Sequence, residues 1–319
     1  MPAITAEVPG ALGRTRSMAR LVLTRDGVRV AVRDSGPVDA DHTVVLLHGL
    51  CLSARSWIEP ARLLSRCVGE GVRIISYDHR GHGQSGCAPM STYHVDQLAD
   101  DLADVLAVLR VRGPLTLGGH SLGGMAALTY CARQTTLRPV EPQGLVLVAT
   151  AAGQLAERGF GRLLATPAPG LLAALIAHTP PAAAEQVVRA LARPVCEVFG
   201  RCGGCASAER QALCTMCADA LASTAVSTAA GFLLQLRGYD QTAALKAIRA
   251  RTTVLSGGAD VLTPVAHAHE LVAGIAGAAH RHYPRAGHML LHEASREVAE
   301  AIAEMVHAVP ARGVAAVTA

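Results

Sequence analysis

The sequence predicts an α/β fold, in which a mostly parallel sheet carries helices on both faces, and three observations support this prediction. Short apolar runs end in a glycine or an aspartate, as strands that are buried on both faces do, for example Thr43–Gly49 and Val72–Asp78. Segments with apolar residues at helical spacing lie between these runs. Half of the 319 residues are hydrophobic and 17% are charged, so the chain can fill a large core.

The predicted elements begin with a hairpin and continue as alternating strands and helices. Two β-rich runs within Arg20–Gly36 surround Asp26-Gly27, a dipeptide that favours a tight turn. The later strands are predicted at 43–49, 72–78, 114–120, 144–150, 252–258 and 280–284. The helices are predicted at 93–111, at 122–133, from Val265 onward and at 292–309. An alternation of this kind is typical of a parallel sheet that is covered by helices.

The interval 151–244 differs from the rest of the chain. It is rich in alanine, is broken by several prolines, and shows short helical patterns without a convincing strand. We therefore expect a helical cap that is inserted over one end of the sheet. The α/β core then consists of residues 19–150 and 245–310, and residues 1–18 are expected to form a flexible tail.

Composition and charge argue against several classes of function. The formal net charge of +4 is modest and the sequence has no basic block, so we expect no nucleic-acid partner. No stretch reaches the roughly 18 uninterrupted apolar residues of a membrane-spanning helix, so no transmembrane segment is expected. The first residues lack the apolar run of a secretory signal, and the nine cysteines are an odd number, so we expect the reducing cytoplasm. The composition predicts no particular oligomeric state.

Four glycines and a histidine surround one serine in Gly118–Gly124, between a predicted strand and a predicted helix. The pattern G-x-S-x-G places a serine on a tight, strained turn, and the glycines on either side remove Cβ atoms that would collide there. The turn lies at the carboxyl end of a strand, which is the edge of a parallel sheet where ligands bind. Ser121 is therefore the candidate nucleophile.

A free serine is a weak nucleophile, so it needs a base that is oriented by an acid. The chain supplies both in the order Ser, Asp, His, because Asp260 follows one predicted strand and His288 follows the next. His288 is the candidate base and Asp260 the candidate acid. Two alternatives stay open: Asp260 could cap the helix near Pro264, and Asp240 is a rival acid that no strand precedes.

The oxyanion that forms when the serine attacks a carbonyl needs N–H donors. The backbone amide of Leu122 lies at the head of the helix after the serine and is the first candidate. The second donor should come from the loop after the strand 43–49, most simply Leu50. In this scheme His48 and Gly49 shape the loop, and His120 packs within the turn.

Four stretches carry a resemblance to a known family: HGLCLSARSW, YDHRGHGQS, GHSLGG, and the pair GGADVLTP and AGH. In these stretches the chain resembles the serine hydrolases of the α/β-hydrolase fold, and HGLCLSARSW is similar to the oxyanion loop of bacterial esterases and cofactor-free haloperoxidases. The likeness covers about residues 20–150 and 245–308. It implies an eight-stranded sheet with a helical cap, and a reaction that needs no cofactor.

One motif suggests a different chemistry. Gly81–Gly86 matches the G-x-G-x-x-G of dinucleotide-binding sites, and it follows a predicted strand. A dinucleotide site needs a helix that begins inside the motif, but Pro89 follows shortly after it. We therefore interpret the motif as a structural turn, which Asp78 and Arg80 are expected to fix.

A cysteine cluster in the predicted cap is harder to interpret. Five of the nine cysteines lie within 22 residues, beginning at Cys196. The other four have the paired spacing of a tetrahedral zinc site, with a shorter interval between the pairs than is usual: Cys202, Cys205, Cys214 and Cys217. Structural zinc, a redox or disulfide pair, and buried free thiols are the three interpretations left open.

Together these residues predict a serine hydrolase that cleaves a carboxylic ester with a small or medium apolar acyl group. Trp57 and the leucines of the cap are candidate walls of the substrate pocket. Alternatives on the same triad are haloperoxidase-like perhydrolysis, lactone opening and cleavage of C–C bonds. Two alternatives without catalysis are a ligand-binding protein that has kept the fold, and an interaction module whose cysteine-rich cap docks a partner.

Overall fold

The computed structural model of the chain describes residues 5–10, 17–180, 183, 186 and 224–309, and for residues 5–10 it describes the backbone alone. The candidate zinc ligands Cys202, Cys205, Cys214 and Cys217 lie outside these ranges, so the three interpretations of that segment stay predictions. Within the described ranges no single helix is long and apolar enough to cross a membrane, although two helices that meet at a bend, 159–165 and 168–177, together pass on length and composition.

Nine strands build one sheet, and six of them are parallel, which confirms the predicted α/β class. The strands are β1 (Thr5–Gly10), β2 (Ser17–Leu23), β3 (Arg29–Ser35), β4 (His42–Leu47), β5 (Val72–Tyr77), β6 (Leu115–His120), β7 (Gly144–Val148), β8 (Arg251–Gly257) and β9 (Ala279–Tyr283). Their order across the sheet is β1-β2-β3-β5-β4-β6-β7-β8-β9. The six strands β5, β4, β6, β7, β8 and β9 pair in parallel with their neighbours in this order. The strands β1, β2 and β3 pair in antiparallel fashion, and β3 also pairs in antiparallel fashion with β5. Eight strands match the sheet that the family resemblance implies, and β1 adds a ninth at the edge.

The amino terminus differs from the flexible tail that we expected for residues 1–18. β1 occupies residues 5–10 and pairs with β2, which begins at Ser17 and pairs with β3 along its whole length. Backbone hydrogen bonds hold the antiparallel strands at this sheet edge, and such bonds can form without a hydrophobic periodicity in the sequence. The strands β4, β6 and β7, in contrast, are buried at every residue, and this burial produces the continuous apolar runs that predicted them.

Eight α-helices are described, and five of them pack on the two faces of the sheet. They are α1 (Ile58–Val68), α2 (Val95–Val108), α3 (Leu122–Ala132), α4 (Ala168–Ala177), α5 (Val226–Leu236), α6 (Val265–Gly274), α7 (Leu290–Glu293) and α8 (Ser295–Ala308). Side chains of α2, α3 and α6 form one core cluster with the sheet. Side chains of α1 and α8 form a second cluster on the opposite face. The loops at the carboxyl ends of the parallel strands are therefore held between two packed layers.

The described part of the interval 151–244 is attached to the core near the end of β8. It contains 3₁₀ turns at Leu155–Glu157 and Gly159–Ala165, followed by α4 and α5. The Phe160 N–H donates to the Val261 carbonyl at 2.9 Å, and Arg158 forms an ion pair with Glu270 of α6. These contacts hold the turn 159–165 over the loop that contains Asp260.

Candidate active site

Ser121 lies on a strained turn between β6 and α3. Its φ of 52° lies in the left-handed region, and its N–H donates to the Val148 carbonyl at 2.9 Å. The turn needs glycine on both sides: a Cβ at Gly119 would lie 2.6 Å from the Gly123 carbonyl oxygen, and a Cβ at Gly123 would lie 2.2 Å from the Leu47 carbonyl oxygen. The local sequence thus exposes the serine at the carboxyl edge of the sheet.

The structure brings Ser121, His288 and Asp260 together in one hydrogen-bonded row. The Ser121 Oγ lies 3.0 Å from His288 Nε2, and His288 Nδ1 lies 2.9 Å from Asp260 Oδ2. His288 and Asp260 are 7% and 4% exposed. Since a carboxylate only accepts, Nδ1 carries the hydrogen, and Nε2 is left to accept the hydroxyl hydrogen of the serine.

Asp260 is held as a carboxylate by four hydrogen bonds. Oδ1 accepts the backbone N–H of Leu262 at 2.9 Å and that of Thr263 at 2.8 Å, while Oδ2 accepts the Thr263 hydroxyl at 2.7 Å in addition to His288. Burial alone would raise the pKa of Asp260, but His288 and the Thr263 hydrogen bonds outweigh it and lower that pKa below its usual value. The rival acid Asp240 is exposed and accepts the Thr242 N–H instead.

The two candidate oxyanion donors both lie at the wall of the cavity beside Ser121. Leu122 is the first residue of α3, where a backbone N–H has no partner within the helix. Leu50 lies in the loop after β4. This loop packs tightly on the serine, because a Cβ at Gly49 would lie 3.2 Å from the Ser121 Cβ and 2.9 Å from His120 Nδ1.

Two histidines beside the row are structural supports of its loops. His48 Nδ1 lies 2.7 Å from the Gly49 carbonyl oxygen, and His120 Nε2 lies 2.9 Å from the His288 carbonyl oxygen, so each imidazole donates to a loop carbonyl. Burial lowers the pKa of His48 to about 4 and that of His120 to about 3, so both are neutral near pH 7.

An apolar cavity of about 430 Å³ opens onto Ser121 and His288. Its described lining combines residues 49–52 of the loop after β4 with aliphatic side chains of the interval 151–244, among them Leu155, Leu163, Leu172, Leu233 and Leu236. Cys51 also lines the cavity, and burial raises the pKa of its thiol to about 12. A protonated thiol does not compete with the serine as a nucleophile.

Trp57 does not form the pocket wall that we predicted. It is 1% exposed and packs in the core cluster with α1 and α8, and it is not among the described residues that line the cavity. Trp57 ends the 3₁₀ turn Ala54–Trp57, and its ring packs on the sheet, where a Cβ at Gly118 of β6 would lie 3.8 Å from it. This position buries the large apolar ring in the core.

The dinucleotide-like motif is built as a turn. Asp78 Oδ1 accepts the Ala54 N–H at 2.7 Å and Oδ2 accepts the Gln84 N–H at 2.8 Å. Arg80 is fully buried and pairs with Asp26 and Asp101. Within the described ranges no group of three or more His, Cys, Asp or Glu side chains could hold a metal ion.

Sequence reasoning missed three residues that contact the candidate machinery: Thr263, His79 and His82. Thr263 contacts Asp260 and lies 3.3 Å from His288 Nδ1. A hydroxyl residue three positions after the candidate acid is a recognisable signal, because such residues close local turns. His79 and His82 contact the loop after β4 from a distant part of the chain. Within DHRGHGQS, only their three-dimensional position gives them this role.

The chain is similar to known hydrolases in sequence and in fold. Residues 38–295 match the family model described as serine aminopeptidase, S33. The chain is 38% identical over 112 residues to a bifunctional esterase/perhydrolase of Acinetobacter calcoaceticus, and 39% identical over 116 residues to a non-heme chloroperoxidase of Kitasatospora aureofaciens. These matches cover 35% and 36% of this chain, and only 38% and 39% of the relatives' own lengths.

Among solved structures, a bromoperoxidase from Bacillus anthracis superposes with a TM-score of 0.70 at 20% sequence identity, over 91% of this chain and 99% of that chain. A likeness at this identity concerns the fold.

Proposed function

Because the chain belongs to the S33 serine aminopeptidase family of hydrolases, we propose that it is a serine hydrolase that cleaves a carboxylic ester with a small or medium apolar acyl group. One observation carries the proposal: the hydrogen-bonded row from Asp260 through His288 to Ser121 opens onto an apolar cavity. Esterase and perhydrolase activities in the name of a partial relative support it.

In the acylation half of the reaction, the Ser121 Oγ attacks the ester carbonyl while His288 Nε2 takes the hydroxyl proton. The carbonyl oxygen becomes an oxyanion, which accepts the N–H groups of Leu50 and Leu122. The intermediate collapses as the C–O bond to the alcohol breaks. His288 gives its proton to the departing alkoxide, so an alcohol leaves and an acyl-enzyme remains.

In the deacylation half, water takes the place of the alcohol. His288 Nε2 removes one proton from the water as its oxygen attacks the acyl carbonyl. The second intermediate uses the same N–H donors. When it collapses, the bond to Ser121 Oγ breaks and His288 returns the proton to the serine, which releases the carboxylic acid. Asp260 stays ionised throughout and holds the Nδ1–H of His288.

The lining of the cavity favours a neutral substrate. Among the described residues that line it there is no Asp, Glu, Lys or Arg. A charged group taken into such a cavity without a partner costs several kcal/mol. This argues against an aminopeptidase, whose substrate carries an ammonium group next to the scissile bond, and supports an ester with an aliphatic acyl group. We further propose that the interval 151–244 acts as a cap, since Leu155 and Leu233 supply walls of the cavity.

A second reaction on the same acyl-enzyme is perhydrolysis, which the name of one partial relative, an esterase/perhydrolase, favours. Hydrogen peroxide would replace water as the attacking group. Its oxygen would bond to the acyl carbon, His288 would take the proton, and a peracid would leave in place of the acid. Both reactions use the residues already named, so they differ only in the nucleophile that enters the second half.

The test combines labelling with kinetics. A fluorophosphonate probe should modify Ser121 alone, as mapped by mass spectrometry, and p-nitrophenyl hexanoate should be hydrolysed. Ser121→Ala should lose both, whereas Ser65→Ala in α1 is the matched control and should keep both. The hexanoate should be preferred over the mono-p-nitrophenyl ester of adipic acid, which has a terminal carboxylate, by at least about 100-fold.

Three results would contradict the proposal. Labelling of another residue, or turnover by Ser121→Ala near the wild-type rate, would remove Ser121 from its role. A folded wild type that is neither labelled nor active would favour the ligand-binding alternative. Adding hydrogen peroxide to the hexanoate assay and measuring peracid separates perhydrolysis from simple hydrolysis.

A further inference from the structure

Three buried histidines lie side by side in and next to the loop after β4, residues 48–52, which we call the oxyanion loop. His48, His79 and His82 are all 0% exposed. The ring centroid of His48 lies 4.3 Å from that of His79 and 5.2 Å from that of His82. Burial lowers the pKa of His82 to about 3 and that of His79 well below its usual range. Buried imidazoles carry polar atoms that need hydrogen-bond partners, and those partners show which backbone groups these histidines hold.

The contacts of His82 fix its tautomer. Nε2 lies 3.1 Å from the backbone nitrogen of Cys51, whose N–H only donates, so Nε2 is the unprotonated nitrogen. Nδ1 therefore carries the hydrogen, and it lies 3.0 Å from the Arg80 carbonyl oxygen, which only accepts. His82 thus connects the turn of the dinucleotide-like motif to the loop after β4.

The two peptide units that flank Leu50 are each held by an imidazole. On one side, His48 Nδ1 and the Leu52 N–H both donate to the Gly49 carbonyl, at 2.7 and 3.2 Å. The bond between Gly49 and Leu50 is trans, so the Leu50 N–H points away from that held carbonyl. On the other side, the Cys51 N–H is held by His82.

The backbone of Cys51 has a strained conformation that the hydrogen bond to His82 helps to hold. Its φ is 59°, in the left-handed region, where a residue with a side chain is strained by about 1–2 kcal/mol. Such a conformation persists only when its surroundings hold it. The hydrogen bond from the Cys51 N–H to His82 is the contact that holds it from outside the loop. Without that acceptor, the Cys51 N–H would lose its partner and the turn would relax.

We propose that His82 is a positioning residue of the oxyanion hole, a role that rests on the proposed function. By accepting the Cys51 N–H it fixes the left-handed turn, and the turn fixes the direction of the Leu50 N–H beside Ser121. His79 supports the same loop, since its backbone N–H donates to His48 Nε2 at 2.8 Å and its Nε2 donates to the His48 carbonyl at 3.0 Å. His82 itself does not touch the substrate.

The test compares variants that keep or remove the acceptor. His82→Phe keeps a ring of similar size without any acceptor, whereas His82→Gln can place an amide oxygen near the Nε2 position. His82→Asn reaches only the Nδ1 position, so it should behave like His82→Phe if the acceptor matters. His42→Phe is the matched control, because His42 is also buried and neutral, and it bonds Thr116 away from the loop.

The readout is affinity for a charged tetrahedral adduct. An alkyl trifluoromethyl ketone forms a hemiketal with a serine and places a negative oxygen in the oxyanion hole, while the matching methyl ketone stays trigonal. With p-nitrophenyl hexanoate, His82→Phe should lower kcat about tenfold or more with little change in KM, given the sensitivity of oxyanion donors to misplacement. The inhibition constant of the trifluoromethyl ketone should rise by a similar factor, and that of the methyl ketone should stay the same.

His82→Gln should recover most of the loss, and His42→Phe should leave kcat and both inhibition constants unchanged. The inference is overturned if His82→Phe binds the trifluoromethyl ketone as wild type does, or if it loses both ketones equally. Should His82→Phe fail to fold, the comparison of His82→Gln with His82→Asn decides in the same way. An inactive wild type would overturn the proposed function and this inference together, whereas an active wild type with unaffected variants would overturn the inference alone.

Discussion

At the scale of single residues, the Thr263 hydroxyl lies between two members of the hydrogen-bonded row, Asp260 and His288. It donates to Asp260 Oδ2 at 2.7 Å, the same oxygen that binds His288. It also lies 3.3 Å from His288 Nδ1 and is only 5% exposed. The hydroxyl therefore shares one carboxylate oxygen with the base, and this contact limits how far Asp260 can turn.

Thr263→Val, which removes the hydroxyl and keeps the shape, should lower kcat several-fold. The Thr263 hydrogen bonds help to lower the pKa of Asp260 against the effect of burial, so losing the hydroxyl raises that pKa. A group with a lowered pKa keeps its charge as pH falls until that pKa is reached, so raising it makes activity disappear at a higher pH on the acid side. The profile of kcat/KM from about pH 2.5 to 7, which includes the range below the usual aspartate value, measures this shift. Thr263→Ser should restore it, and a Val variant with an unshifted profile would contradict the role.

The sequence could predict the row itself but not its supports. Ser121, Asp260 and His288 each follow a strand in a recognisable order, so local patterns identify them. The supports are paired across the chain: the hydrogen bond between Cys51 and His82 joins residues 31 positions apart, and that between His120 and His288 joins residues 168 positions apart. A local pattern contains no information about which distant carbonyl or N–H a buried imidazole will meet, and for the same reason it could not tell whether Trp57 faces the cavity or the core.

At the scale of elements, the turn between β6 and α3 depends on backbone contact that no side chain can enter. A Cβ at Gly123 would lie 2.2 Å from the Leu47 carbonyl oxygen, and that backbone belongs to the buried strand β4. Neither partner can move without disturbing the sheet. Gly71 offers a comparison, since a Cβ there would have no atom within 4 Å and its φ is not in the left-handed region.

Gly123→Ala should therefore destabilise the protein by several kcal/mol, in the range expected for overpacking of a rigid core. Gly71→Ala should be neutral or slightly stabilising, because it reduces only the freedom of the unfolded chain. Urea denaturation of the two variants beside wild type measures both effects. Equal midpoints for Gly123→Ala and wild type would mean that the turn can adjust, and that its glycines are not required for packing.

The strands also show which elements a sequence can reveal. Most of the parallel strands were predictable, because strands covered by helices on both faces become continuous apolar runs, as in β4, β6 and β7. The strand β9 at the sheet edge is only partly buried, and the sequence identified it by its place in the alternation of strands and helices. β1 and the beginning of β2 were missed, because an antiparallel edge is defined by backbone pairing, for example Thr5 with Arg20 and Ala6 with Ala19. Edge strands satisfy N–H and C=O groups without requiring a hydrophobic pattern, so this part of the sheet left little signal.

At the scale of the whole molecule, buried imidazoles, some of them beside the candidate active site, make the stability of the fold depend on acid pH. His42, His48, His82 and His120 are all buried, and each is less than 5% exposed. Burial lowers the pKa of His42 and His48 to about 4, and that of His82 and His120 to about 3. The usual value for an unfolded histidine is about 6.5. Below that value the unfolded chain binds protons that the folded protein does not.

The sign of the effect follows from this difference. The contribution of each lowered histidine pKa to the free energy of unfolding is fully present above about pH 6.5. It is lost as the pH falls toward the pKa that the histidine has in the folded protein. At pH 5 each of these histidines should lower the free energy of unfolding by about 2 kcal/mol relative to neutral pH. Four of them together would remove much of the 5–15 kcal/mol by which a typical domain is stable. The urea midpoint should therefore fall steeply between pH 7.5 and pH 5.

His42→Gln tests this account without touching the active site, because His42 bonds only the Thr116 hydroxyl among its described side-chain partners. It removes one group that takes up a proton on unfolding, so the variant should lose less stability than wild type over the same pH range, by about 2 kcal/mol. Its stability at pH 7.5 can change in either direction without affecting the test, since only the slope with pH counts. A slope equal to that of wild type would mean that His42 does not titrate on unfolding, and the acid sensitivity would then have to come from other groups, His48, His82 and His120 among them.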